Sequence, residues 1–491
     1  LRTADRRAFR VAYAAWIFGI FAYFIPAATW NPVSRFNLTR AIVEHHTIRV
    51  DPYVTSTGDR SKVGEGWYSD KAPVVAVLAV PAYAVMHGIH RIRGMRPDYK
   101  AEGTYERPAV RFVPNLAYQQ AFYVCSLATS GIAGTAVALL LFELLRRRAT
   151  SRIAFLSSSM VVLGSPLLPY STTLYGHVPA AAFLLGAITL LDPRATSPPS
   201  TLPSPGRLKL AGACLALCSG SEYLTALPCA LVALWFLRIA TRNERGRALL
   251  QLLIGGALPV AFVALYNTAA FGAPWRTGYS FETSSEFAAG HAQGLLGIGL
   301  PRWEGLYGLT FGRLRGLFYL WPLLVVALMF AGLHAYRRRD EAIRIGLAVL
   351  LLLLLLNSGY YMWWGGAAVG PRHLLPGVPY VAAGLALALS SARRWLKVVV
   401  VALALISAAS SIGVTGVGIE APERGDVLHD HLLRKLALGR MRTFAGASNL
   451  GQKFGLPATP VSLLPVVVWV VAGYGYLLLR LQKASAKERF G

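Results

Sequence analysis

The sequence predicts an all-α, polytopic integral membrane protein, and three observations predict it. Of the 491 residues, 55% are hydrophobic and only 15% charged, whereas soluble domains carry about 25% charged residues. The mean hydropathy is +0.47, and the apolar residues fall in runs of roughly 20, the length that crosses a hydrocarbon core at about 1.5 Å per residue. The formal charge of +26, from 49 Lys and Arg against 23 Asp and Glu, sits in short basic clusters between those runs. That is the pattern of cytoplasmic loop ends under the positive-inside rule. It excludes a DNA-binding protein, and with it a nucleic-acid partner, as well as a secreted disulfide scaffold and a disordered tail. Cys125, Cys214, Cys218 and Cys229 all lie inside apolar stretches with no C-x-x-C pair, and read as small core hydrophobes.

Taken in order, Arg2, Arg6, Arg7 and Arg10 precede the apolar run 11–30. That run is too long for a signal-peptide core and reads as a first transmembrane helix with a cytoplasmic start. Further spans are expected at 73–90, 114–145, 153–169, 174–191, 208–219 with 222–240, 248–271, 316–335, 342–357, 374–390, 396–416 and 461–480, about 11–13 in all. The pair around Gly220 is one broken helix or two short ones. Basic clusters at 146–148, 242–247, 337–339 and 393–397, with the tail 483–489, mark cytoplasmic ends. Counting spans from the two termini places 31–72, 272–315, 358–373 and 417–460 outside, but the counts clash in between. Either 73–90 or the Gly220 pair is therefore re-entrant or miscounted. Segment 192–206, with five prolines and several serines, reads as a flexible connector. No internal repeat is visible, which weakens a secondary-transporter reading. The chain 1–491 is read as one transmembrane domain with outer loops at 31–72, 272–315 and 417–460.

The first loop holds most of the candidate chemistry. It carries Glu44, Asp51, Asp59, Glu65 and Asp70. Segment 34–46 places Phe36, Leu38, Ala41 and Ile42 at helical spacing, which predicts an amphipathic helix lying on the membrane surface. Tyr68-Ser69-Asp70-Lys71-Ala72-Pro73 then sets an acid and a base at the mouth of an apolar helix opening on proline, a residue suited to a first helical turn. A lipid phosphate lies at that membrane–water boundary. Plainer readings stand beside this one: Asp70 caps the helix and Lys71 snorkels to headgroups, Asp51 and Asp59 make turn hydrogen bonds, His177 is structural, and Trp363 with Trp364 belong to an interfacial belt. Glu222, between two apolar runs, is a functional intramembrane acid or the apex of a turn. There is no D-x-D, H-E-x-x-H or G-x-x-x-x-G-K-[ST] motif. No metal-ligand set is named, and a divalent cation held by scattered carboxylates stays open. Asn37-Leu38-Thr39 fits a glycosylation acceptor pattern but falls in the expected surface helix and is read as coincidence.

The order of several short words carries a resemblance. The first loop, from Ser34-Arg35-Phe36-Asn37-Leu38 through Gly66-Trp67-Tyr68-Ser69-Asp70-Lys71-Ala72-Pro73, is followed by Leu174-Tyr175-Gly176-His177-Val178, Tyr266-Asn267-Thr268, Gly278-Tyr279, Arg315-Gly316-Leu317-Phe318, Trp363-Trp364-Gly365-Gly366 and Gly370-Pro371-Arg372-His373. From about residue 30 to about 380 the chain resembles bacterial GT-C-fold glycosyltransferases of the family 39 type, which are like the protein O-mannosyltransferases and the lipid A aminoarabinose transferase. The resemblance implies a GT-C helical bundle with juxtamembrane helices in the first loop, embedded in the bacterial cytoplasmic (inner) membrane. Its active site would face the outside or periplasm and serve the cell envelope. It implies transfer of a sugar from a polyprenyl-phosphate donor to an acceptor lipid, polysaccharide or protein. Cationic groups would then neutralise the leaving phosphate, and an acid of the first loop would take the acceptor's proton, a role worth roughly 10²–10⁴ in rate.

On this resemblance Lys71 holds the donor phosphate, with Arg35, Arg372, His177 and His373 as further donors. Asp59 and Asp70, then Asp51, are the candidates for the base. Tyr68, Tyr175, Asn267, Tyr279, Trp363 and Trp364 are candidate substrate contacts, and Arg276, Glu282 and Arg302 belong to a loop that covers the site. The chain departs from the pattern at one place: where the aminoarabinose transferases open this loop on an acidic pair, it has Asn31-Pro32-Val33-Ser34-Arg35. Two other classes remain as alternatives, a lipid or solute transporter or flippase, and a catalytically inactive GT-C-like assembly subunit. The first would need charges along a path and repeat symmetry. The second is kept alive by the missing acidic pair.

Overall fold

Apolar runs of this length bury their backbone polar groups only as helices, and the fold follows. The computed structural model describes residues 3–102, 111–195, 202–439 and 447–490. Arg2, the centre of the proline-rich connector and 440–446 of the third loop lie outside the described residues. Seven described helices are long and apolar enough to cross a membrane, and Ser151–Leu163, His177–Leu191 and Tyr223–Ile239 are shorter and apolar. The described strands form only two-stranded pairs, among them Ser61–Val63 with Gly66–Tyr68 in the first loop.

The helices run alternately between two ends of a bundle. Thr3–Ala22 leads up and Leu116–Arg146 down, followed by Ser151–Leu163, His177–Leu191, Pro205–Ser221, Ala226–Ile239, Arg245–Phe271, Leu323–Arg338, Glu341–Gly359, Arg372–Ser390, Arg394–Val417 and Leu464–Phe490. That alternation falls within the expected number of spans. Ion pairs fix which termini share an end. At one end Arg10 pairs with Glu143 at 2.6 Å, and Arg148 bridges Asp192 at 2.9 Å and Asp340 at 2.7 Å. The cluster at 146–148, expected to mark a cytoplasmic end, is thus knitted to two buried acids. At the other end the Tyr123 hydroxyl donates to the Ala22 carbonyl at 2.5 Å, and Tyr170 donates to Val369 at 2.9 Å. Small residues let the helices close: a Cβ at Gly255 would strike the Lys209 carbonyl, and one at Gly212 the Leu252 carbonyl, so Pro205–Ser221 and Arg245–Phe271 pack backbone to backbone.

The clash in the sequence count resolves at Val74–Ile92. This helix is long and apolar enough to cross, yet both of its ends meet the same end of the bundle. Near its start the Ala76 carbonyl accepts from Thr39 at 2.8 Å, and near its finish His90 bonds Gln120 at 3.1 Å, one turn into Leu116–Arg146. The chain beyond it stays there, with Arg96 accepting from Asn115 at 2.8 Å and Pro97 from Arg40 at 3.0 Å. Val74–Ile92 therefore stands beside the bundle rather than passing through it. The reason lies in helix length: Leu116–Arg146 has 31 residues, about 46 Å at 1.5 Å each against a core of about 30 Å. Its surplus turns project at this end, and Tyr118, Phe122 and Cys125 on them form a small separate core with Phe36, Val75, Ala79 and Tyr83. The Gly220 pair, by contrast, is two helices joined by a turn at Tyr223–Thr225.

The expected amphipathic surface helix is also corrected. The helix spans Trp30–His45, and ten consecutive residues from Pro32 to Ala41 are buried. It is wedged between two cores, Val33 and Phe36 facing one and Leu38 and Ala41 the other, with Tyr53, Tyr266 and Phe271 on the second. A pattern with apolar residues on one face gave no sign that the polar face is buried as well. The first span likewise ends at Ala22 rather than 30, because Phe24 and Ile25 pair with Asn449 and Ser448 in a short antiparallel bridge.

This topology is testable by cysteine accessibility, since the native cysteines are buried or half-buried. A membrane-impermeant thiol reagent applied from one side should label Arg93→Cys together with Lys62→Cys, and Arg338→Cys only from the other side. Labelling of Arg93→Cys together with Arg338→Cys would contradict it.

Candidate functional site

The wedged helix Trp30–His45 is the platform of the site, and a polar network locks it. Arg40 pairs with Glu44 at 2.8 Å and lies 4.1 Å over the Tyr53 ring, while Glu44 also accepts from Tyr53 at 2.9 Å and from Tyr83. Asn37 donates to Ser56 at 2.8 Å, tying the following turn down. With its outer half fixed in this way, the helix presents Ser34 and Arg35 to the interior of the bundle end.

Lys71 lies between two carboxylates. Its ammonium contacts Asp70 and is 3.0 Å from Asp59. Asp59 reaches this position because its turn is held by Thr57, whose hydroxyl donates to the Trp30 carbonyl at 3.0 Å and accepts from the Asp59 N–H at 3.1 Å. Asp70 is 1% exposed, and Ser34 donates to its second oxygen at 2.9 Å. Burial alone would lower the proton affinity of Lys71, but Asp59 and Asp70 outweigh it and hold the ammonium well above its usual range. Asp59 moves up: burial disfavours its charge, and one ammonium shared with Asp70 does not offset that. The loop 272–315 closes over this trio. Ser61 donates to the Gly278 carbonyl at 2.8 Å, the Tyr279 ring lies 5.7 Å from the Lys71 ammonium, and His291 stacks on Tyr279 at 4.8 Å while bonding Tyr360 at 3.0 Å. Glu282 pairs its backbone with Ser61, and burial together with the Asp70 charge raises its carboxyl well above the usual range.

A second group adjoins the first through Arg35. Arg35 is 1% exposed, donates to Glu222 at 2.6 Å and also contacts the Asn31 side chain. The same Glu222 oxygen lies 3.5 Å from His177 Nδ1. The His177 ring stacks on Tyr175 and lies 4.9 Å from His373, while the Arg372 guanidinium sits 5.3 Å over Tyr175. Gly176 is what lets Glu222 approach, since a Cβ there would collide with the Ser221 carbonyl and the Glu222 carboxylate. Three buried nitrogens in this group, Arg35 Nε, His177 Nε2 and Arg372 Nε, have no hydrogen-bond partner. Unpartnered buried donors are costly, and two guanidinium nitrogens beside an imidazole suit an anion.

The structure thus brings together Asp59, Asp70, Lys71, Arg35, His177, Tyr175, Tyr279, Arg372 and His373 at one end of the bundle. Other expected residues lie elsewhere. Asp51 is engaged by Arg49 at 2.9 Å and by the Trp67 N–H at 3.3 Å, bracing the loop hairpin. Asn267 accepts from Tyr223 at 3.0 Å and donates to Pro274 at 3.2 Å, anchoring the cover loop, and Tyr68 packs its ring on Phe271. Trp363 is packed against Gly308 and Trp364 lies edge-on to it, away from the arrangement of a lipid-facing belt. Arg302 donates to Tyr360 at 2.8 Å, and Arg276 is exposed. Glu222 stands out in the sequence by its place between apolar runs, whereas its partner Arg35 does not follow from the sequence. His291 and Tyr360 carried no sequence signal. Arg315 is fully buried and fastens the carbonyls of Trp364, Gly366 and Pro422; the Arg-Gly-Leu-Phe word flagged it without a role. Among the described residues no three of His, Cys, Asp and Glu are gathered as a metal-ligand set.

Comparisons with known proteins bear on the fold. No protein-family profile and no curated protein sequence matches the chain. Solved structures do. ArnT from Cupriavidus metallidurans matches in its apo state, with 13% identity over 98% of this chain and 77% of that one at a TM-score of 0.50, and bound to undecaprenyl phosphate, with 12% identity over the same shares at 0.51. An oligosaccharyltransferase from Archaeoglobus fulgidus matches at 14% identity and a TM-score of 0.44 over 86% of this chain, which spans 57% of its length. The chain has the GT-C fold of membrane glycosyltransferases, and it is a multi-pass membrane protein.

The raised Glu282 carboxyl predicts a pH dependence of stability. The folded protein holds this proton to higher pH than the unfolded chain, so its contribution is complete below the ordinary glutamate range. It is lost as pH rises toward the folded value. Glu282→Gln should match the wild type in thermal stability at acid pH and exceed it increasingly toward alkaline pH; parallel curves would show that Glu282 does not hold the proton.

Proposed function

We propose that the protein is a membrane glycosyltransferase that moves a sugar from a polyprenyl-phosphate donor to an acceptor on the outer side of a bacterial cytoplasmic membrane. The observation that carries this reading is the convergence, at one end of a GT-C bundle, of Lys71, Arg35, Arg372 and His177 with three buried nitrogens that lack partners. Such a set suits a phosphate whose negative charge grows as the glycosidic bond breaks. A related fold is seen with undecaprenyl phosphate bound, which supports the donor class. The opposite end carries Arg146, Arg147, Arg148, Arg337 and Arg338, and by the positive-inside rule that end is cytoplasmic. The site then faces outward. Buried ion pairs gathered at the two ends, rather than along a path between them, favour transfer over transport.

Arg35, Arg372 and His177 hold the phosphate, with Lys71 nearby to balance charge as it leaves. Asp59 takes the proton of the attacking hydroxyl. It is preferred to Asp70 because both Asp70 oxygens are already bonded, to Ser34 and Lys71, and burial raises the proton affinity of Asp59 above the ordinary aspartate range. The acceptor's oxygen forms a bond to the anomeric carbon, the carbon–phosphate oxygen bond breaks, and the polyprenyl phosphate departs with the electron pair. Tyr279, stacked on His291 under the cover loop, walls the space where the sugar sits.

Purified protein should transfer sugar from a polyprenyl-phosphate sugar to envelope lipid or polysaccharide acceptors. Lys71→Ala and Asp59→Asn should each lower the rate by roughly 10²-fold or more without loss of a monodisperse folded peak. The wild-type rate should fall on acidification with a midpoint above the ordinary aspartate range, because Asp59 must be ionised to act. Undiminished transfer by both variants would refute the site.

A further inference from the structure

The contact between Arg35 and Glu222 has a geometry that bears on how a phosphate enters and leaves. A guanidinium offers an Nε/NH2 edge that takes two oxygens of one oxyanion side by side. In Arg35 that edge is half filled: Glu222 Oε1 accepts from NH2 at 2.6 Å, and Nε has no partner. The remaining terminal nitrogen is turned to Asn31. An oxyanion that engages both nitrogens of that edge meets the Glu222 carboxylate at NH2, and the two negative charges compete for one guanidinium. His177 repeats the pattern, with Nδ1 3.5 Å from the same oxygen and Nε2 without a partner. Glu222 sits in an extended link (φ −149°, ψ 111°) between Pro205–Ser221 and the turn Tyr223–Thr225 rather than within a helix, so a turn of its side chain breaks no helical hydrogen bond.

We propose that Glu222 is an internal competitor for the phosphate, its carboxylate occupying the Arg35 edge in the empty protein and yielding it to the lipid phosphate. The inference rests on the reading that this site takes a lipid phosphate. Its physical basis is that a guanidinium buried as deeply as Arg35 needs a counter-charge at every stage. Glu222 supplies one when no ligand is bound, and by returning to Arg35 it helps to displace the polyprenyl phosphate left after transfer. Glu222 is on this account a positioning residue, since it acts through Arg35 and does not touch the reacting atoms.

The sign of the effect separates this role from a structural or a ligand-binding one. Undecaprenyl phosphate without a sugar is titrated onto the full-length protein in detergent, for the wild type, Glu222→Gln and Glu222→Asp. Affinity is read by equilibrium binding and by the ligand-induced rise in melting temperature, which reports affinity even in a destabilised variant. Glu222→Gln should melt lower without ligand yet bind tighter by about fivefold or more, the size of an ordinary coupling between sites. Glu222→Asp, one methylene too short to keep the 2.6 Å contact, should also bind tighter, by less, and decides the matter if the Gln variant does not fold. Equal or weaker binding in the variants overturns the proposal. Wild-type protein that does not bind the lipid at all overturns the phosphate reading itself, an outcome read from the control alone.

Discussion

The structure is organised by the cost of removing charge from water. Several kcal/mol attach to each buried ion unless a counter-charge meets it in good geometry, and at both bundle ends buried cations are met in that way: Arg148, Lys71 and Arg35 each lie against buried acids. At the arginine-rich end Arg148 spans Asp192 and Asp340 and so ties the termini of three helices. At the other end Lys71 joins Asp59 to Asp70, and Arg35 joins the first-loop helix to the link after Pro205–Ser221. These contacts fix which helix ends share a side, and they bring the first loop, the Tyr175-Gly176-His177 turn and the Gly370-Pro371-Arg372-His373 turn to one place.

The same constraint explains why the site is poised rather than closed. Lys71 is balanced by two acids, while Arg35 and Arg372 retain unpartnered Nε atoms beside His177 Nε2. An anion entering there gains hydrogen bonds without having to break the Lys71 trio. The cover loop, through Gly278, Tyr279 and His291, packs over one side of the Lys71 trio.

Much of this was legible in the sequence, and what was not has a physical cause. Apolar runs marked the spans because helix formation in a membrane is obligatory. The Asp70-Lys71-Ala72-Pro73 word marked a charged helix mouth because its parts are adjacent. Glu222 could not be paired with Arg35 from sequence, since 187 residues separate them. Asp59 and Asp51 looked alike as turn acids, and only the fold sends one to Lys71 and the other to Arg49. Val74–Ile92 was counted as a span because its length and composition are those of one; its exclusion rests on contacts such as His90 with Gln120. The burial of 32–41 on all sides escaped the amphipathic pattern because the buried polar face is satisfied by Glu44, Ser56 and Ala76.

The +26 charge excess therefore divides between two tasks. Most of it marks one side of the bundle, and among the cations at the other end Lys71, Arg35 and Arg372 are gathered at the site for which we propose a lipid phosphate. The most direct measurement is an experimental structure of the protein in lipid nanodiscs with undecaprenyl phosphate. The account predicts phosphate density within hydrogen-bond distance of Arg35 Nε and Arg372 Nε, beside Lys71. Phosphate density held by the arginines of the opposite end, with the Arg35 edge empty, would contradict it.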